Sequence, residues 1–285
     1  MTRSTLRISL PQWQGGMNHN YQFGNQILNA IVPPSIETPT LQIPLAGGDE
    51  TTSKTVDGEG ALLAQMQHVR AVLAKREPSR VITLGGDCSV SEAPFDYLHG
   101  QYPEHFGVIW FDAHPDISTP EQSHHLHEMV VADLLHLGAP MFNSAVEHPI
   151  EPTAVFFAGL QHQALRPMDG LVDELGMAYA TSDQLTSSSQ PLLAWLKEHQ
   201  IEHVAVHWDL DVIDPDEFRS ILPAQPQLDR SQFGAAIGAM TLQQVTRLLQ
   251  DVSEATDLVG LTLAEHMPWD AINLRQALSQ IPIFA

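Results

Sequence analysis

The chain has 285 residues, room for one large domain or two small ones, and its 43 % hydrophobic and 16 % charged residues are ordinary for a folded soluble protein. A formal charge of −21, from 34 acids against 13 bases, argues against a phosphate-backbone binder, and no apolar run approaches the length of a membrane span. The single cysteine, Cys88, excludes an intrachain disulfide; with no apolar signal core in "MTRSTLRISLPQW", a cytoplasmic protein is expected.

Short β-branched or aromatic runs recur along the chain. They are "TLRISL" (5–10), "TLQIPL" (40–45), "RVITL" (80–84), "GVIWF" (107–111), "AVFFAG" (154–159), "MAYA" (177–180), "HVAVHW" (203–208) and "LVGLTLA" (258–264). Several are apolar throughout rather than alternating, which suits strands buried on both faces. Helical patterns lie between them: 60–76, with Leu62, Met66, Val69 and Leu73 on one face and Pro78 beyond its end, then 191–200 and 241–255. Strands alternating with helices predict an α/β fold with a mainly parallel sheet covered on both sides. No linker or repeat interrupts the pattern, so one domain over 1–285 is expected, with surface loops at 46–58 and 215–235.

Three acidic clusters each follow an apolar run: "LGGDC", "FDAHPD" and "WDLDVIDP". Ligands of open α/β sheets bind at the carboxyl ends of strands, so clusters distant in sequence can converge there. As a strand runs out, alternate side chains share a face, so the i, i+2, i+4 spacing of Asp112, His114 and Asp116 can point one imidazole and two carboxylates together; Asp209 and Asp211 repeat it. Carboxylates packed together raise one another's pKa unless a cation neutralises them. Carboxylate plus imidazole suits Mn or a similar first-row ion. A lone Asp-x-Asp is usually a turn or a helix cap; two clusters at strand ends, one with a histidine, point to a metal site.

"GGDCS", "DAHPDISTP", "DLDVIDP" and "GLTLAEHMP" together resemble the signatures of the ureohydrolases, the family of arginase, agmatinase and formimidoylglutamase, over residues 80–270. The resemblance implies a three-layer α/β/α fold with an eight-stranded, mainly parallel sheet. It implies a manganese centre of one or two ions, with Zn, Fe or Ni as alternatives, at which hydroxide attacks a guanidino or formimino carbon. Residue by residue, it implies that Cys88, Asp112, Asp116 and Asp209 hold one ion and Asp112, His114, Asp209 and Asp211 the other. His127 matches the proton-shuttling histidine, with His124 and His125 as competitors for that place, and Glu265 falls where a glutamate faces the substrate's cation. The family often forms homo-oligomers.

Two departures stand out. Cys88 replaces a histidine that the family keeps in the metal shell, as in a branch similar to Nω-hydroxy-L-arginine hydrolase. It is either a thiolate that weakens or softens that position, or a small buried residue beside a one-metal site. "GLQHQA" (159–164) lacks the acids with which arginases hold the substrate's tail, and His207 and Trp208 add bulk beside Asp209. The function expected is metal-dependent hydrolysis of a linear C–N bond in a guanidino-type compound such as Nω-hydroxy-L-arginine or agmatine. The alternatives are a catalytically silent metal-binding homologue acting as partner or sensor, and a zinc deacetylase-like enzyme.

Overall fold

All eight apolar runs become strands: β1 Thr5–Ser9, β2 Thr40–Gln42, β3 Arg80–Leu84, β4 Phe106–Phe111, β5 Val155–Ala158, β6 Ala178–Ala180, β7 His203–Asp209 and β8 Asp257–Ala264. The computed structural model describes residues 4–47, 51–281 and 283. Positions 48–50 of the expected 46–58 loop, and the first three residues, lie outside the described residues. Every strand pair is parallel, and the order is β2-β1-β3-β8-β7-β4-β5-β6. The continuous apolar runs follow from this arrangement: a parallel sheet is covered on both faces, and all six residues of β4 are buried.

The helices are α1 Asn20–Ile31, α2 Glu59–Arg76, α3 Glu92–Gln101, α4 Val130–Leu134, α5 Pro140–Asn143, α6 Leu171–Glu174, α7 Gln190–Glu198, α8 Leu242–Ala255 and α9 Trp269–Leu278. On one face of the sheet, Val108, Trp110 and Ala205 pack with Leu62, Met66, Val69 and Leu73 of α2 and Phe95 and Leu98 of α3. On the other face, Ile109, Phe111, Val204 and Val206 pack with Leu192 and Trp195 of α7 and Val245, Leu248 and Val252 of α8. The result is the expected three-layer α/β/α fold. The predicted helices appear as α2, α7 and α8. Helix α8 starts on a reciprocal cap, Thr241 with Gln244, and α2 ends at Glu77 in a left-handed turn before Pro78. The 215–235 loop contains two single-turn 3-10 helices, Leu222–Ala224 and Arg230–Gln232.

Two glycines set the frame around the carboxyl edge. A Cβ at Gly86 would lie 1.7 Å from the Gln12 carbonyl oxygen, so the turn after β3 passes that close to the segment following β1. A Cβ at Gly24 would lie 1.6 Å from the His266 carbonyl oxygen, which lets α1 press against the turn after β8. Among the described residues, no helix is long and apolar enough to cross a membrane.

Candidate metal centre

The carboxyl ends of β3, β8, β7 and β4, four adjacent central strands, meet around a cavity of about 190 Å³. Cys88, His114, Asp116, His127, Asp209, Asp211 and Glu265 all line it. Cys88 arrives on a short helical turn after β3 that Asp87 caps by accepting the Ser89 N–H at 3.1 Å. Its Sγ lies 3.0 Å from Asp209 Oδ2 and 3.5 Å from Glu265 Oε1.

Asp112, His114 and Asp116 do not sit on a continuing strand, as their spacing had implied. β4 stops at Phe111, and Asp112 Oδ1 accepts the His114 N–H at 2.7 Å, turning the chain locally. Asp116 then adopts φ +46°. A side chain–backbone turn therefore gathers the three residues, in place of the two-residue alternation of a strand. Asp209 makes the same bond to the Asp211 N–H at 2.6 Å. Glu265 has φ +64°, and its N–H donates to the Gly86 carbonyl at 2.7 Å.

Donor atoms fall into three overlapping sets, each within 4.8 Å: Cys88–Asp112–His207–Asp209, Asp112–His114–Asp211 and Asp209–Asp211–Glu265. Asp112, Asp209 and Asp211 each belong to two. Asp116 stands outside all three, although it is buried in the same cavity and its Oδ2 has no partner. His207 entered the sequence reading only as bulk. It is fully buried, shares a sheet face with Asp209, stacks on Trp110 at 3.7 Å, and has an unpartnered Nε2. Its position two residues before Asp209 was the available signal.

The electrostatics fit a cation. Burial raises the Cys88 thiol and the Asp116, Asp209 and Asp211 carboxyls well above their ordinary values, and neighbouring carboxylates add to the rise. Asp112 is held below the usual range despite its burial, because His114 hydrogen-bonds to it. Burial pulls His114 down, but Asp211 and Asp112 outweigh it and lift the imidazole to about 10. Burial raises Glu265 as well, opposed by His127 and a hydrogen bond with buried Tyr21. Asp211 Oδ1, like Asp116 Oδ2, is buried without a partner. Converging acids with unpaired oxygens, two imidazoles and one thiol form a donor set suited to divalent metal ions.

His127 lines the cavity with Nδ1 2.9 Å from the Gly15 carbonyl. Of its competitors, His124 is exposed and His125 lies beside Asp57. At the mouth, Arg166 is paired with Glu128 at 2.7 Å and with Asp169 at 3.2 Å. Arg166 and Glu128, neither singled out from sequence, both line the cavity. Burial works to raise Glu128, but His127, Ser123 and Arg166 hold it down to about 2.

The Arginase family model matches residues 36–275, and the chain belongs to the arginase family. The arginase of Entamoeba histolytica is 26 % identical over 142 residues, covering 48 % of each protein, and that of Bacillus caldovelox is 30 % identical over 149 residues with the same coverage. The chain thus spans about half the length of the curated relatives it matches. In structure, E. histolytica arginase in complex with L-ornithine superposes with TM-score 0.78 at 18 % identity, over 94 % of this chain and 93 % of that one. Proclavaminate amidinohydrolase of Streptomyces clavuligerus gives 0.65 at 19 % identity, over 93 % of this chain and 84 % of that one. Formimidoylglutamase of Bacillus subtilis gives 0.67 at 16 % identity, over 93 % and 80 %. These three likenesses show the fold.

Proposed function

We propose that the protein is a metal-dependent hydrolase of a linear C–N bond in a guanidino-type amino acid, with Nω-hydroxy-L-arginine the first candidate. Agmatine, guanidinobutyrate and formiminoglutamate are the alternatives. The observation that carries this reading is the convergence of Cys88, Asp112, His114, Asp209, Asp211 and Glu265 at one strand edge in an arginase-family chain. Asp112, His114, Asp209 and Asp211 would hold one ion, and Cys88, Asp112, Asp116 and Asp209 the other. Manganese is the first choice of ion and zinc, iron or nickel the alternatives. The bound metal supplies a Lewis acid that generates hydroxide from water near neutral pH.

The chain's own residues do the rest. Glu265 offers a buried carboxylate to the substrate's cationic end, and Tyr21 orients it. The Gly15 carbonyl can only accept, so His127 Nδ1 must donate to it. Nε2 is then the nitrogen that carries a proton to the leaving amine. Arg166, paired with Glu128 and Asp169, lines the cavity with Glu128, so a substrate tail would meet this charge network rather than a free cation.

The test is a product-release assay on a panel of guanidino compounds, with Mn, Zn, Fe and Ni supplied separately. Urea or hydroxyurea release from an amino-acid substrate is expected. Asp211→Ala should abolish it and reduce retained metal. Acetate release from an acetylated amine would favour the deacetylase reading, and no turnover with any ion would favour a silent binding protein.

A further inference from the structure

Within the metal-centre reading, we propose that His207 is itself a metal ligand, and that Cys88, His207, Asp112 and Asp209 form a position selecting a zinc-like ion over manganese. His207 is the one imidazole in that donor set, and one of its ring nitrogens is buried without a partner. Its ring is 0 % exposed and lies at 12° to the Trp110 ring. Nδ1 is engaged by Ser91 Oγ at 2.7 Å, so Nε2, with no partner, is the nitrogen left to ligate. A buried imidazole nitrogen without a partner forfeits hydrogen bonding that water would supply, and a cation restores that interaction.

The surroundings hold the ring as a ligand is held. Trp110 stacks on His207 and donates Nε1–H to Asp112 Oδ2 at 3.1 Å, so one side chain fixes two members of the set. Ser91 stands three residues after Cys88 at the end of the same helical turn, and therefore couples the ring to the thiol's own backbone. Such partners set ring orientation and tautomer in metal sites. One donor atom from each of the four residues already lies within 4.8 Å of those of the other three.

Ion preference follows from the donors. Thiolate and imidazole are softer than the oxygens manganese favours, and two carboxylates complete a four-donor shell of the kind zinc takes. The neighbouring Asp112–His114–Asp211 set lacks sulfur and suits manganese. The two positions would then hold different ions.

Metal-free wild-type protein titrated with Co²⁺ gives a readout independent of activity. A near-ultraviolet thiolate-to-cobalt charge-transfer band is expected, bleached by Zn²⁺ at far lower concentration than by Mn²⁺. His207→Gln should weaken that band's cobalt affinity by more than the about 10–100-fold typical of losing an outer partner, whereas Ser91→Ala should stay within that range. His207→Gln with unchanged band and affinity overturns the proposal. If that variant fails to fold, zinc-edge X-ray absorption of His114→Gln decides instead. Sulfur and imidazole scattering on one ion supports His207, and sulfur alone overturns it. A wild-type protein that binds metal without the thiolate band also overturns the inference and leaves the metal centre standing. A protein that binds no ion removes both.

Discussion

His127 is one of three histidines in four positions, and only its surroundings separate it from His124 and His125. It lines the cavity with one nitrogen committed to Gly15, while the others face solvent or Asp57. His127→Ala should lower turnover by ~10²–10⁴-fold with metal content unchanged, as loss of a proton carrier does. Metal analysis beside steady-state kinetics checks this, and parallel loss of metal would make His127 a ligand. The acidic residues of the centre were legible in sequence because chemistry and spacing both marked them. His207, Arg166 and Glu128 were not. His207 sits inside an apolar run and reads as strand until its face is known. Arg166 and Glu128 are 38 positions apart and become a pair only when two loops meet at the cavity mouth.

At the scale of elements, the eight strands were legible because burial on both faces forces β-branched and aromatic runs. Helices α1, α3 and α9 were not anticipated, and α1 and α3 each carry a residue that reads against a helix. Helix α3 carries Pro94 in its first turn and buries Glu92 and Asp96 beside Phe95 and Leu98. Helix α1 carries Gly24 in its middle, a weak helix former placed there by packing. Gly24→Ala should destabilise the protein by about 1–3 kcal/mol, since the clash is with the backbone of the turn that bears Glu265 and His266 rather than with a flexible side chain. Differential scanning calorimetry reads the effect. An unchanged melting temperature would mean that α1 is free to shift away from β8.

For the molecule as a whole, the buried acids couple stability to pH and to metal. In the metal-free fold Asp116, Asp209, Asp211 and Glu265 bind protons more tightly than in the unfolded chain. Their contribution is fully present below the ordinary carboxyl range and is lost as pH rises through the raised folded values. A bound cation cancels that loss. Chelation should therefore lower the melting temperature more at pH 8 than at pH 5, and equal drops would remove the coupling. Glu92 adds a separate slope. Burial lifts it to about 8 against the pull of Arg70, so its contribution falls away from the unfolded value of 4.5 up to about pH 8. Glu92→Gln should flatten that slope with or without chelator. The sheet order has a consequence during synthesis. β8, the last strand made, inserts between β3 and β7, pairing Val81 with Gly260 on one side and Val206 with Leu261 on the other. β4 and β7 are already neighbours, so the Asp112–His114–Asp211 pocket can mature on a nascent chain that still lacks β8. The sulfur-bearing pocket cannot, because Cys88 reaches Asp209 only after the sheet's two halves are joined through β8. One pocket can thus form before β8 is made, and the other only once β8 has joined the two halves of the sheet.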